Sequence, residues 1–174
     1  MMMSATTWLL RRKFPTVQQM QTDELDQLDK KKRILLDVRP EEEYAISHLP
    51  DAIRVDPDNV EQAQEALREK GYKPGTPVVC YCSVGYRSSK LAQMLAEAST
   101  QAAAPTDSTA TTQEGKDNAC KVDPKDCYNL EGSIFKWANE GRPITNTSGG
   151  TANKVHPYNG VFGHLLDANL RHQL

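Results

Sequence analysis

The stretch Val78-Val79-Cys80-Tyr81-Cys82-Ser83-Val84-Gly85-Tyr86-Arg87-Ser88-Ser89 decides how this chain is read. Residues 77–81, which include its first four, read as a β-branched strand buried on both faces. A loop containing Gly85 follows, and residues 86–98 place Leu91, Leu95 and Ala98 on one helical face. Cys82 therefore stands where a buried strand ends and a helix is about to begin. Its sulfur is expected to face the backbone amides of Ser83, Val84, Gly85, Tyr86, Arg87 and Ser88 and the positive end of that helix, all of which stabilise an anion. A cysteine so placed loses its proton more readily than a free thiol. Gly85 lets the backbone turn where other residues resist. Arg87 brings a permanent charge that grips an oxyanion with two prongs. Cys80, by strand alternation, reads as a core residue.

Short apolar runs alternate with helical patterns on both sides of this segment, which predicts an α/β sheet domain. Residues 33–38 read as a central strand, 52–55 and 127–130 as further strands, and 17–20 as an edge strand. Thr22 reads as the N-cap of a helix over 23–28, and Pro40 with Glu41, Glu42 and Glu43 opens another. Helices are also expected over 60–70, closed by Gly71, and over 134–140, ended by Gly141. Residues 99–119 hold no aromatic residue and no Val, Ile, Leu or Met, so they read as a flexible insertion. In the tail, Phe162, Leu165, Leu166 and Leu170 fall at helical spacing. That predicts an amphipathic C-terminal helix, docked on the domain or used as a homodimer contact.

The chain of 174 residues carries 21 Lys and Arg against 23 Asp and Glu. This balance excludes a strongly basic nucleic-acid binder. The apolar runs fall far short of the roughly 20 residues a membrane-spanning helix needs. Neither nucleic acid nor membrane is an expected partner. Four cysteines are too sparse for a disulfide scaffold and suit a reducing compartment, so cytoplasmic residence is expected. The acid-free first 22 residues, with Arg11, Arg12 and Lys13, share one compositional feature with mitochondrial transit peptides. No signal peptide is expected. The Cys80–Cys82 spacing with two distant cysteines is not that of a zinc site, so no metal is expected.

Residues 37–52, DVRPEEEYAISHLPDA, resemble the signature of rhodanese-like domains through Asp37, Arg39, Glu43, Tyr44, His48, Pro50 and Ala52. The Cys82 loop resembles that family's active-site loop, and Asn129-Leu130-Glu131-Gly132-Ser133-Ile134-Phe135-Lys136-Trp137 resembles its closing strand and helix. Family members commonly carry glycine where this chain has Ser47, Asp51 and Ser133, which raises the expectation of local backbone strain.

The resemblance implies a rhodanese fold, a central parallel sheet flanked by helices. It divides the chain into an N-terminal segment (1–16), a rhodanese-like domain (17–146, with 99–119 inserted) and a C-terminal extension (147–174). It also implies sulfur transfer without metal or organic cofactor. Cys82 would take the outer sulfur of thiosulfate or another sulfane donor, a small anion, and pass it from a persulfide to a thiol or cyanide acceptor. The loop amides and Arg87 would bind the donor, with Ser83 and Ser88 adding hydroxyls. Asp37, Arg39 and His48 read as structural support, because buried charges need partners.

Three alternatives stand beside this reading. A phosphatase or arsenate reductase would need a longer C-x5-R loop, whereas Cys82 to Arg87 is C-x4-R. A persulfide carrier or redox protein would use Cys80, Cys120 or Cys127 as resolving thiol. A regulatory binding module would need no reactive cysteine.

Overall fold

Burial on both faces is what turns the uninterrupted apolar runs into strands. Strands β1 (Gln18–Met20), β2 (Ile34–Asp37), β3 (Ile53–Arg54), β4 (Val78–Tyr81) and β5 (Cys127–Leu130) form one sheet, ordered β1-β5-β4-β2-β3. Every pairing in it is parallel. The computed structural model describes residues 2–101 and 120–173. Side chains alternate along β4, with Val79 and Tyr81 entering one core layer and Val78 and Cys80 the other. The first layer is closed by α2 (Thr22–Gln27) and α6 (Ser133–Asn139), through Leu25, Ile134, Phe135 and Trp137. The second is closed by α4 (Val60–Glu69) and α5 (Tyr86–Gln101), through Ala63, Leu67, Leu91 and Leu95.

Register pairs Asp37 with Tyr81, and Cys80 with both Leu36 and Asn129. The carboxyl ends of β2, β4 and β5 therefore lie side by side, the edge of an open parallel sheet where sites are built. The short helix α3 (Glu41–Ile46), started by Pro40 with Glu41, Glu42 and Glu43 in its first turn, leaves this edge immediately after β2. No helix among the described residues is long and apolar enough to cross a membrane.

Several expectations change. Gln21, not Thr22, caps α2, its amide donating to Glu24, while the Thr22 hydroxyl donates to Glu140 at 2.6 Å. Helix α5 runs on through Gln101, so the expected insertion does not start at 99, and its residues 102–119 lie outside the described residues. The N-terminal segment is helix α1 (Met2–Lys13), tied to Glu131 by Arg11, with Met3 against the core. The boundary at 146 falls inside a ribbon, because β6 (Ile144–Thr145) pairs with β7 (Thr151–Ala152) in antiparallel fashion.

The amphipathic C-terminal helix does not form. The tail instead makes two 3-10 turns, Phe162–Leu165 and Ala168–Leu170, with Leu166 extended between them. Asn139 of α6 intercepts the backbone there, donating to the Leu165 carbonyl at 2.8 Å and accepting from the Asp167 amide at 2.9 Å. Those bonds replace the ones a continuous helix would need. Leu166 is buried, and Phe162, Leu165 and Leu170 pack on the domain's own core.

Candidate active site

Cys82 follows β4 directly and is 1% exposed. The loop is oriented from behind: the amides of Ile134 and Phe135, at the start of α6, donate to the carbonyls of Cys82 and Ser83, each at 3.2 Å. With those carbonyls held outward, loop amides are free to turn toward the sulfur. The Gly85 amide donates to Cys82 Sγ at 3.1 Å, and Ser88 Oγ lies 3.5 Å from it. Gly85 has φ of +122°, a backbone reserved for glycine. A Cβ there would also stand 3.2 Å from Leu10 Cδ1 of α1.

Burial by itself pushes the Cys82 thiol up. The Arg87 charge, the Ser88 hydroxyl and the amides of Ser88 and Gly85 more than reverse that, leaving the thiol below its ordinary value. Ser88 has a single proton to give. Its hydroxyl also lies 2.6 Å from Asn129 Oδ1, whose orientation is set by the Asn129 Nδ2 bond to Gln19. The hydroxyl therefore has two acceptors in reach, a neutral amide oxygen and the cysteine sulfur. A negative charge on the sulfur draws it away from Asn129.

Arg87 does not stand free. Its guanidinium reaches Glu43 of α3 at 3.3 Å and Ser83 Oγ at 3.0 Å, and Ser83 Oγ donates to Glu43 at 3.0 Å. Its face covers the Tyr158 ring at 4.9 Å. Burial weakens its hold on the proton, but Cys82 and Glu43 outweigh this and raise its pKa. Ser83 thus serves as a bracket between Glu43 and Arg87. Val84 and Tyr86 line the opening, with Tyr86 edge-on to Phe14 at 5.5 Å.

Asp37 and Arg39, at the end of β2, form a fully buried ion pair. Asp37 accepts from the Arg39 amide, Nε and Nη2, the last at 2.7 Å, and Nη2 also donates to the Ser47 carbonyl. Burial disfavours the guanidinium, yet Asp37 raises its pKa beyond the usual range. His48 stacks on Tyr44 with centroids 3.8 Å apart, and its Nδ1 is 2.9 Å from the Tyr44 carbonyl. Its backbone bridges to Thr145. These three residues brace β2 and α3.

Of the positions where glycine was anticipated, Asp51 (φ 67°) and Ser133 (φ 49°) are left-handed, whereas Ser47 is extended at −165°. Ser133 offsets its strain with its hydroxyl, which accepts the Cys82 amide at 3.1 Å and donates to the Leu130 carbonyl. Cys80 meets the buried Cys127, and that contact, then burial, pushes its thiol well up. Cys120 is also pushed up, by burial.

Sequence reasoning missed Glu43, Asn129, Ser133 and Tyr158 as site residues. Glu43 carried a signal, since it alone of three adjacent glutamates fell in the family register. Tyr158 carried none, lying beyond the resemblance.

A family model described as the rhodanese-like domain matches residues 21–140, more than half of the chain. The chain is also similar to the thiosulfate sulfurtransferase of Pseudomonas aeruginosa, at 17% identity and a TM-score of 0.55, over 86% of this chain and 23% of that one. Its likeness to the BH2092 protein of Bacillus halodurans has 17% identity and a TM-score of 0.52, over 82% of this chain and 85% of that one. Identities this low establish the fold. No curated protein matches the chain.

Proposed function

The chain belongs to the rhodanese-like domain family, and from that premise we propose that it is a sulfurtransferase whose nucleophile is Cys82. The observation that carries this reading is the set of donors around the sulfur. The Gly85 amide at 3.1 Å, the Ser88 hydroxyl and the Arg87 charge all favour the thiolate over the thiol.

In the first step the thiolate attacks the outer sulfur of a sulfane donor. The donor's sulfur–sulfur bond breaks, and its electron pair leaves on the first product, sulfite if thiosulfate is the donor. The persulfide on Cys82 carries its negative charge on the terminal sulfur, in reach of the same amides and hydroxyl. In the second step a thiol or cyanide attacks that sulfur and restores the Cys82 thiolate. Each half is a two-electron displacement, so no metal or redox cofactor is required. Ser83 and Glu43 fix the Arg87 guanidinium, and Ser133 fixes the Cys82 amide.

Initial-rate kinetics test this reading. Two displacements through a covalent enzyme form give parallel lines when donor and cyanide are varied together. Intersecting lines, or undiminished turnover in Cys82→Ser, would overturn it.

A further inference from the structure

Above Cys82 is a cavity of about 350 Å³, within the size range of small-molecule sites. Its floor is Cys82, Ser83 and Arg87, and its walls come largely from parts of the chain outside the family match. Leu9 and Leu10 of α1 supply part of these walls, and Tyr158 and Phe162 of the tail supply another part.

Both parts are built in place. Leu10 abuts Gly85, Phe14 packs on Tyr86, and Arg11 pairs with Glu131. On the tail side, Asn159 Oδ1 accepts the amides of Val161 and Phe162, and the Tyr158 and Phe162 rings meet edge-on at 5.7 Å. Among the described residues the exposed large apolar side chains are Trp8, Leu9, Tyr86, Tyr158 and Val161. Three of these five, Leu9, Tyr86 and Tyr158, line this one cavity. Apolar surface left in water at one place marks a binding site.

The charge of the cavity points the same way. Arg87 is the one cation among its described lining residues; Glu43 offsets part of its charge and Tyr158 covers it, so most of the surface around the sulfur is apolar rather than cationic. We propose that the sulfur donor is a small organic persulfide, RSSH, whose apolar R group lies between Leu9, Leu10, Tyr158 and Phe162. The inference rests on the sulfurtransferase reading and names its substrate class. The Cys82 thiolate bonds to the outer sulfur of RSSH and the donor's S–S bond breaks. The outer sulfur stays on Cys82, the electron pair leaves on RS⁻, and the proton the outer sulfur brought passes through water to RS⁻, leaving the anionic Cys82 persulfide and RSH.

The test loads the full chain in single turnover with two persulfides whose R groups are uncharged and of matched length, those of hexanethiol and of 2-(2-hydroxyethoxy)ethanethiol, and with thiosulfate. Sulfur on Cys82 is read by peptide mass, and each persulfide rate is divided by its uncatalysed rate with free cysteine. The hexyl donor is expected to load at least about tenfold faster, the scale on which an apolar pocket discriminates. Leu9→Ser, at a side chain 60% exposed, and Tyr158→Asn, which keeps a residue tolerant of φ near 65°, should each lower that ratio about threefold or more. A ratio near one, or a ratio that neither substitution moves, overturns the substrate class while leaving sulfur transfer standing. Loading of Cys82 by none of the three donors overturns both.

Discussion

Glu43 and Arg87, 44 residues apart in the chain, form an ion pair at the rim of the Cys82 loop, with Nη1 3.3 Å from Oε1. The carboxylate is almost wholly buried, so it acts on its surroundings through little screening water. It aims the guanidinium and at the same time offsets part of the charge that Arg87 presents to the sulfur.

The two partners therefore have opposite effects on the thiol. Arg87→Gln removes the cation and leaves burial dominant, so the pH midpoint of Cys82 alkylation should rise. Glu43→Gln keeps an acceptor for Ser83 and removes a negative charge, so the midpoint should fall. Iodoacetamide rates read on the Cys82 peptide across pH check both. Shifts in the same direction would contradict the electrostatic account.

The same thiol couples to stability. It is an acid whose native pKa is held below its ordinary value of 9.0, by donors that overcome burial. Its contribution is therefore fully present above the unfolded value and lost as pH falls through the native one. Wild type should gain stability relative to Cys82→Ser as pH rises through that window. Urea unfolding of both proteins at a series of pH values measures it, and a flat difference would contradict the lowered pKa.

Asp37→Ala strands the fully buried Arg39 guanidinium without its carboxylate. Breaking one side of such a pair costs about 3–5 kcal/mol. Chemical denaturation should show a loss of that order, and a change under about 1 kcal/mol would mean the pair is not buried as described.

Ser133 separates backbone strain from hydrogen bonding. Ser133→Ala keeps the unfavourable φ of 49° and removes the acceptor of the Cys82 amide, at a cost of about 1–3 kcal/mol. Ser133→Gly loses the same bond but relieves the strain, so it should be the milder change. Calorimetry that ranks glycine as the worse substitution would contradict the left-handed assignment.

Strands β2 and β4 were legible because burial on both faces writes itself as a nearly uninterrupted apolar run. The Cys82 loop was legible because strand, glycine and helix follow within a few residues. What escaped was decided by distant partners. Nothing local in Glu41-Glu42-Glu43 says which carboxylate turns inward to meet Arg87. The leucine spacing of the tail reads as a helix until Asn139, more than 20 residues away, takes its backbone bonds. Segment 1–16 shows no strong pattern of its own, and its helix acquires meaning only where Leu10 meets Gly85.

The central claim is that Cys82 carries the transferred sulfur, and intact-protein mass spectrometry tests it most directly. Wild type and Cys82→Ser are incubated separately with thiosulfate and with an alkyl persulfide, and the modified peptide is identified. With at least one donor, wild type should gain about 32 Da on the Cys82 peptide, removable by cyanide, while the variant shows no corresponding sulfur. A wild type left unmodified by both donors, or a sulfur found on another cysteine in both proteins, would contradict the account.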